Sequence, residues 1–240
     1  MTPSTLAVIP ARGGSKGLPR KNLRQLAGRP LLSFTIEAAK NSRLDRVILS
    51  TDSEEIADIG RKYGAEVPFM RPAELARDQS SSLSVLLHAL HWVRKHDRFF
   101  PDVVALLQPT SPLRTAEHIN EGLDILSATG ARSVIGISPV EEIHPYYMFT
   151  LAADFRLRYI MDVHPRPMRR QDLPPVYRIN GALYLTRSDY YDLPLEPDAP
   201  VYDATHLVGL PMDAVSSIDI NTLVDLEQAE ALLRQRSQSS

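Results

Sequence analysis

Short apolar runs alternate with amphipathic stretches over the first 140 residues of the chain. The runs Leu6–Ile9, Arg46–Leu49, Val103–Leu107 and Ser133–Ile137 have the length and composition of buried strands. Between them, apolar residues recur at the spacing of helices that pack one face against a core. This alternation predicts an α/β fold, a doubly wound and mostly parallel sheet with helices on both faces.

Local signals predict where the helices begin and end. Pro30 suits a first helical position, and Asp52 with Glu55 resembles a capping box for a helix that stops at Gly64. Further helices are predicted after a serine cap within 80–82 and from about Thr115 to Ser127. After residue 175, the pattern predicts strands at Ala182–Leu185 and His206–Leu210 and a last helix from about Thr222. We therefore expect one domain over residues 1–240.

The alternating pattern is interrupted between residues 141 and 175. Prolines, aromatic residues and a basic cluster recur in this stretch, which we call the excursion. Exposed aromatic residues on a soluble protein usually cover a partner surface. We expect a dimer contact first and a lid over the sheet second, so the predicted partner is a second copy of the chain.

Composition narrows the classes of function. There are 27 Lys and Arg residues against 29 Asp and Glu, a formal net charge of -2, so no global positive field attracts nucleic acid or an anionic membrane. The absence of cysteine excludes disulfides, thiolate nucleophiles and Cys-ligated metal sites, and it fits a reducing compartment. We see no signal peptide or membrane-spanning segment and expect a cytoplasmic enzyme.

The segment from Arg12 to Asn22, RGGSKGLPRKN, directly follows the first predicted strand. Its glycines allow successive backbone N–H groups to turn toward phosphate oxygens, while Arg12, Lys16 and Lys21 supply positive charge. The spacing matches neither a Walker A loop nor a dinucleotide-binding turn. A basic surface turn is the alternative. The position after a first parallel strand, where open α/β sheets bind ligands, favours a triphosphate-binding loop.

The segment Ile9–Asn22, IPARGGSKGLPRKN, resembles the signature of the acylneuraminate cytidylyltransferases, the CMP-sialic acid synthetases. Four further segments are similar to the family pattern and occur in the same order along the chain. They are RPAELA from Arg71 with Ser81 and Ser82, LQPTSPLR from Leu107, RINGA from Arg178 with Tyr184, and SIDI from Ser217. The resemblance spans nearly the whole chain and implies a Rossmann-like nucleotidyltransferase fold, a homodimer and a Mg²⁺ or Mn²⁺ cofactor.

The resemblance also implies a role for individual residues, with Lys16, Lys21 and Asp219 as the catalytic group. The CTP phosphates would be bound by Arg12, Gly13, Gly14, Ser15, Lys16 and Lys21. The ribose and cytosine would be bound by Asn22, Arg71 and Ser82. The sugar would be held by Gln108, Arg170, Asn180 and Tyr184, and the metal ion by Asp219 and possibly Asn221.

The residues by themselves support these roles more weakly. Gln108 follows a strand and precedes a proline turn, which presents its amide at the ligand edge of the sheet, although an ordinary turn residue has the same pattern. Arg71 by itself fits a solvated loop charge, and only the resemblance implies that it contacts the base. Asp219 precedes the last helix, where helix capping is the alternative to metal binding.

Two positions depart from the family pattern. Asn221 stands where relatives usually carry a second aspartate, which leaves the metal affinity and the number of ions open. Tyr146 and Tyr147 follow His144-Pro145 where relatives often have a lysine that reaches the neighbouring subunit's sugar carboxylate. Arg170 would then supply that contact alone.

The resulting hypothesis is transfer of CMP from CTP to the anomeric hydroxyl of a nine-carbon 2-keto-3-deoxy sugar acid, N-acetylneuraminate or a close analogue, with release of pyrophosphate. Metal-bound hydroxide, Asp219 and solvent are all open as the base. Legionaminic, pseudaminic, deaminated neuraminic and 3-deoxy-octulosonic acids are alternative substrates. A catalytically silent CTP-binding module is the alternative from another class.

Overall fold

The computed structural model describes residues 3–15, 17–140 and 143–238, except for the side chains of 236–238. The α-helices in these ranges are α1 (Leu31–Lys40), α2 (Glu54–Lys62), α3 (Ser82–Trp92), α4 (Ala116–Thr129) and α5 (Leu223–Gln238). The strands are β1 (Thr5–Pro10), β2 (Gln25–Leu26), β3 (Arg29–Pro30), β4 (Arg46–Ser50), β5 (Val103–Leu106), β6 (Ser133–Pro139), β7 (Phe149–Leu151), β8 (Leu157–Tyr159), β9 (Tyr177–Arg187) and β10 (Leu207–Pro211).

A six-stranded sheet in the order β10-β6-β9-β5-β1-β4 forms the centre of the fold. β1 pairs in parallel with β4 and β5, and β6 pairs in parallel with β10. β9 lies antiparallel between β5 and β6. The prediction of a mostly parallel α/β sheet is confirmed.

Apolar side chains cover both faces of the sheet. Along β1, Ala7 and Ile9 pack on one face with residues of α1, α2 and α4. Leu6 and Val8 point to the other face and pack with residues of α3. This alternation follows from the two-residue period of a strand, and helices on both faces explain why Leu6–Ile9 is a continuous apolar run.

The structure corrects two predicted helix starts. The cap of α2 is Ser53, whose hydroxyl accepts a hydrogen bond from Ile56 N, so the prediction of Asp52 as the cap is wrong by one residue. Pro30 lies in β3 and precedes α1 instead of occupying its first position. The serine cap of α3 is Ser81, within the predicted range, and α5 begins one residue after the predicted start.

The described part of the excursion contains the antiparallel β7–β8 hairpin, which lies outside the central sheet. Residues 141 and 142, its predicted beginning, lie outside the described residues. Phe149, Phe155, Leu157 and Met168 are exposed, in agreement with the predicted exposure of apolar groups. The role of the excursion in dimerisation stays a prediction. Within the described ranges, no helix combines the length and the apolar character needed to cross a bilayer.

Candidate active site

A cavity of about 430 Å³ opens where β1 and β5 end. Its walls come from the loop after β1, the segment that leads into α3, the turn after β5 and the loop before α5. The parallel alignment of β1 and β5 brings their carboxyl ends to the same edge, where open α/β sheets bind ligands. The predicted site residues among its lining are Arg12, Ser15, Lys21, Asn22, Arg71, Ser82, Gln108 and Asn221.

Hydrogen bonds from distant segments hold the loop after β1. Gly13 N donates to Asp52 Oδ1 over 2.9 Å, and the buried side chain of Asn22 donates to Arg12 O over 3.0 Å. A Cβ at Gly17 would lie 3.0 Å from Asn221 O, so the loop packs closely against the segment before α5. Gly14 lies in the same loop, and Lys16, predicted as catalytic, lies outside the described residues.

Positive charge dominates the walls of the cavity. Arg12, Lys21, Arg71 and Arg77 line it, against the carboxylate of Asp78 among the described lining residues. The protein as a whole has a formal net charge of -2, so the positive charge is local. A partly enclosed group of cations next to a glycine-rich loop is suited to a polyphosphate.

One of these cations, Arg12, already has an anionic partner in the cavity. Arg12 Nη1 lies 2.7 Å from Asp78 Oδ1, across from the loop after β1. Both side chains are partly exposed, so this ion pair contributes little to stability. A bound polyphosphate would compete with Asp78 for the same guanidinium.

Arg71 is held deeper in the wall. Its Nε donates to Ser50 Oγ over 3.1 Å and its Nη2 donates to Ser50 O. Burial lowers the pKa of Arg71 to about 10, with Asp52 opposing the shift and Arg12 adding to it. The guanidinium therefore stays charged at neutral pH and is anchored to β4.

Lys21 connects the loop after β1 to the segment before α5. Its Nζ donates to Ile220 O over 2.8 Å. Burial lowers the pKa of Lys21 below its usual value, while the carboxylate of Asp219 acts in the opposite direction. A partly desolvated ammonium next to Asp219 can interact strongly with phosphate oxygens.

Asp219 and Asn221 contact each other through their side chains. Asn221 Nδ2 donates to Asp219 Oδ2 over 2.7 Å. Asp219 does not cap α5, because Thr222 and Asp225 exchange the hydrogen bonds of a capping box there. The helix-cap alternative for Asp219 is therefore wrong.

The donor set around Asp219 fits a magnesium ion shared with phosphates. Within the described residues, no group of three or more His, Cys, Asp or Glu side chains is placed to hold a metal ion. Mg²⁺ is commonly bound by one or two carboxylates together with substrate phosphates and water. Asp219 has an exposed carboxylate of this kind. It is not among the described lining residues of the cavity, but Asn221, to which it is hydrogen-bonded, is.

The predicted sugar-binding residues are placed unequally. Gln108 lines the cavity, and a Cβ at Gly181 would lie 3.2 Å from its Oε1. Asn180 is buried with its amide engaged, since Nδ2 donates to Ser217 Oγ and Oδ1 accepts from Ala182 N. Tyr184 is half-buried in β9, and burial raises its pKa, with smaller contributions from Tyr202 and Asp219.

Arg170 is not brought to this cavity. It lines a different hollow of about 520 Å³ between the excursion and the ends of β6 and β9, together with His144, Tyr147 and Met168. The two hollows share no described lining residue. The contact between Arg170 and the sugar stays a prediction.

Sequence reasoning missed four residues around the site. Arg77 and Asp78 lie between RPAELA and Ser81 without being part of either, and Asp52 has the pattern of a helix cap. Arg114, the last residue of LQPTSPLR, is fully buried beside Gln108. The signal that identifies Arg114 is the burial of a charged side chain, and burial is not visible in the sequence.

A sequence model described as cytidylyltransferase matches residues 6–236. The chain belongs to the cytidylyltransferase family. The CMP-N,N'-diacetyllegionaminic acid synthase of Legionella pneumophila is 37% identical over 243 residues, with 95% of each chain covered. The pseudaminic acid cytidylyltransferase of Campylobacter jejuni is 33% identical over 236 residues, covering 98% of each. The N-acylneuraminate cytidylyltransferase of Escherichia coli is 33% identical over 238 residues, covering 99% of this chain and 54% of that protein.

Solved structures of the same fold extend the cytidylyltransferase comparison. A CMP:2-keto-3-deoxy-manno-octonic acid synthetase complexed with CTP has a TM-score of 0.70 at 19% identity, covering 97% of this chain and 99% of its own. A 4-diphosphocytidyl-2C-methyl-D-erythritol synthase from Anaerococcus prevotii has a TM-score of 0.67 at 16% identity, with 97% of each chain covered. These likenesses concern the fold. The sequence relationships make this cytidylyltransferase a nucleotide-transferring enzyme, as predicted.

Proposed function

We propose that this enzyme transfers CMP from CTP to the anomeric hydroxyl of a nine-carbon 2-keto-3-deoxy sugar acid, N-acetylneuraminate or a close analogue, and releases pyrophosphate. The observation that carries the proposal is the cavity lined by Arg12, Lys21 and Arg71 beside the glycine-rich loop. The relatives named for legionaminic, pseudaminic and N-acylneuraminic acids support this substrate class.

Catalysis in this proposal is positioning and charge stabilisation. The anomeric oxygen forms a bond to the α-phosphorus of CTP, and the bond from that phosphorus to the bridging oxygen breaks, so pyrophosphate leaves with the electron pair. Lys21 and Arg12 stabilise the negative charge that develops on the phosphates. The proton of the attacking hydroxyl passes to Asp219 or to water. No histidine stands among the described lining residues of the cavity to accept it.

We further propose Mg²⁺ as the cofactor, held by Asp219 and the phosphates. When bound, the ion neutralises charge on the phosphates. Asn221 orients Asp219 through the 2.7 Å bond between their side chains. Lys21, whose Nζ donates to Ile220 O, would share the negative charge of the phosphates with the ion.

Release of pyrophosphate from CTP, measured with a panel of sugar acids, tests the proposed reaction. The panel comprises N-acetylneuraminic, N,N'-diacetyllegionaminic, pseudaminic, deaminated neuraminic and 3-deoxy-octulosonic acids. We expect turnover with at least one nine-carbon acid. Exclusive turnover of the eight-carbon acid would contradict the proposed substrate, and CTP binding without any pyrophosphate release would favour the silent module.

Asp78→Asn is expected to tighten CTP binding severalfold. The substitution removes the carboxylate that pairs with Arg12 in the cavity, and a change of about 1 kcal/mol corresponds to roughly a fivefold change in Kd. Calorimetric titration with CTP at low and high salt measures the effect, which should shrink as salt screens the charges.

Asp58→Asn is the matched control for Asp78→Asn. Asp58 pairs with Arg61 in α2, outside the residues that line the cavity, so its loss should leave CTP affinity unchanged. Weaker CTP binding by Asp78→Asn would show that Asp78 supports the nucleotide instead of competing with it.

We propose that the excursion forms a homodimer contact, and Phe155 carries the argument. Phe155 lies between β7 and β8 with a positive φ of 62° and 83% of its surface exposed. A positive φ is unfavourable in free energy for a bulky residue, and an apolar ring exposed to water contributes nothing to stability. The positive φ belongs to the turn that joins β7 to β8. Burial against a second copy of the chain would account for the presence of an exposed aromatic ring at that turn.

Phe155→Gly is expected to weaken the dimer by an order of magnitude or more without lowering the stability of the subunit. Glycine adopts a positive φ readily, while the aromatic anchor is lost. Sedimentation should give about twice the 26.8 kDa subunit mass for the wild type and a shift to monomer for the variant. Arg98→Gly, at a φ of 53°, is the control for the backbone effect alone. A wild type that stays monomeric at high concentration would reduce the excursion to a lid.

A further inference from the structure

Arg114 is a cation that the proposed reaction does not use. It is 2% exposed and precedes the cap of α4. Its Nη1 donates to Ala182 O over 2.7 Å and to Gln108 O over 3.3 Å. Nε and Nη2 are buried without a hydrogen-bond partner among the described residues. Burial lowers its pKa to about 9, so the guanidinium is still charged at neutral pH.

Stability alone does not account for this residue. Removing a guanidinium from water is costly, and the cost is recovered only by a good counter-ion and full hydrogen bonding. Arg114 has neither in the described part of the chain. Replacement of buried charges by apolar residues of similar size is often neutral or stabilising. A buried charge with unsatisfied hydrogen-bond donors needs a reason other than stability, and the segments that Arg114 holds in place offer one.

The two carbonyls that Arg114 contacts belong to segments not joined by the sheet. β5 pairs with β9 only from Val103 opposite Arg187 to Leu106 opposite Tyr184. Beyond these pairs, Gln108 leaves β5 and Ala182 continues β9. Arg114 spans the gap from one segment to the other.

β9 is irregular at the same place. Its register with β6 shifts between Ile135 and Ile137, and Gly181 has a positive φ of 76°. A bulged strand has fewer ladder hydrogen bonds to fix its course. The bond from Arg114 Nη1 to Ala182 O therefore supports β9 where its own pairing is weakest.

Gln108 and Gly181 lie close together beside the hydrogen bond from Arg114 to Ala182. A Cβ at Gly181 would lie 3.2 Å from Gln108 Oε1, and Gln108 lines the cavity. Arg114 thus holds the backbone of Gln108 and the residue next to Gly181. A displacement of either segment would change where the amide of Gln108 points.

We propose that Arg114 is a positioning residue that sets the amide of Gln108 against Gly181 and thereby controls binding of the sugar acid rather than of CTP. This inference rests on the proposed function for the identity of the second substrate. The parts of the cavity that hold Arg12, Lys21 and Arg71 have hydrogen bonds that do not involve Arg114. Loss of Arg114 should therefore weaken binding of the sugar acid and leave binding of CTP unchanged.

Arg114→Met and Arg114→Lys test the proposal through separate KM values for the two substrates. We expect Arg114→Met to raise the KM for the sugar acid by about tenfold or more, as expected for a mispositioned contact. The Kd for CTP measured without sugar should change less than about twofold. Arg114→Lys keeps the charge but not the planar fork and should restore the sugar KM only in part.

Thr186→Val is the matched control on the same strand. Thr186 is fully buried, accepts a hydrogen bond from Ser133 Oγ and donates one to Val201 O, away from the cavity lining. It should lower the thermal midpoint of unfolding without changing the sugar KM. An effect of Thr186→Val on the sugar KM as large as that of Arg114→Met would overturn the assignment.

Amide hydrogen exchange gives a readout that does not depend on the sugar. Arg114→Met should increase exchange in residues 179–184 and leave the loop after β1 unchanged. If the wild type used no sugar acid, the proposed function would fail. Faster exchange in Arg114→Met with unchanged CTP affinity would still support the positioning role of Arg114. Unchanged exchange, or equal changes in sugar and CTP affinity, would overturn the inference. If Arg114→Met does not fold, the same measurements on Arg114→Lys decide it.

Discussion

Replacing Lys21 with alanine is expected to lower turnover by about a hundredfold or more, the usual effect of removing one contact to transition-state charge. Lys21 is half-buried, its Nζ is fixed by Ile220 O, and it lies among the cavity residues. Its ammonium is therefore already in place, and little free energy of reorganisation is needed when charge develops on the phosphates. Steady-state pyrophosphate release at saturating CTP measures the loss, and circular dichroism checks the fold.

Two further variants separate the role of Lys21 from a general effect of charge. Arg20→Ala removes the neighbouring positive charge, but Arg20 is exposed and pairs with Glu55 outside the cavity lining, so turnover should change little. Lys21→Arg keeps the charge with a bulkier, planar head and should recover activity only in part. Near-normal turnover by Lys21→Ala would remove the phosphate assignment.

Asp219→Asn is expected to collapse activity and to raise the Mg²⁺ concentration needed for half-maximal rate. It removes the carboxylate that we assign to the ion, while the hydrogen-bonding shape of the side chain is kept. Asn221→Ala should cost far less, since it loses only the bond that orients Asp219. Magnesium titrations at saturating CTP measure both effects, and Mn²⁺ binding followed by electron paramagnetic resonance gives a readout apart from turnover.

The position of Asn221 allows a test in the opposite direction. Asn221→Asp places a second carboxylate 2 residues from Asp219 and should lower the Mg²⁺ concentration for half-maximal rate, because a hard cation prefers charged oxygen ligands. Asp225→Asn is the control, since Asp225 accepts hydrogen bonds from Asn221 N and Thr222 N at the start of α5. It should affect stability and leave the Mg²⁺ dependence unchanged. An unaltered Mg²⁺ dependence in Asp219→Asn, with a changed one in Asp225→Asn, would move the assignment to Asp225.

The sequence by itself determined the main elements of this fold and the place of the glycine-rich loop after β1. Apolar runs such as Leu6–Ile9 must be buried on both sides, and amphipathic stretches such as Leu83–Val93 must cover them, so a layered α/β arrangement follows from local pattern. The glycine-rich segment after β1 was recognisable because backbone freedom and positive charge coincide in neighbouring residues. The family could be identified for the same reason, since its motifs are local and ordered.

Only the tertiary structure decided which distant groups meet. Asp52 has the pattern of a helix cap, yet its carboxylate accepts from Gly13 N, 39 residues away, and Ser53 caps α2 instead. The pairing of Arg12 with Asp78 and the burial of Arg114 between Gln108 and Ala182 likewise depend on how segments pack. Such contacts arise from chain-wide packing and strand direction, and local propensities are too weak to encode them. The antiparallel direction of β9 and the separation of Arg170 from the cavity likewise depend on the tertiary structure.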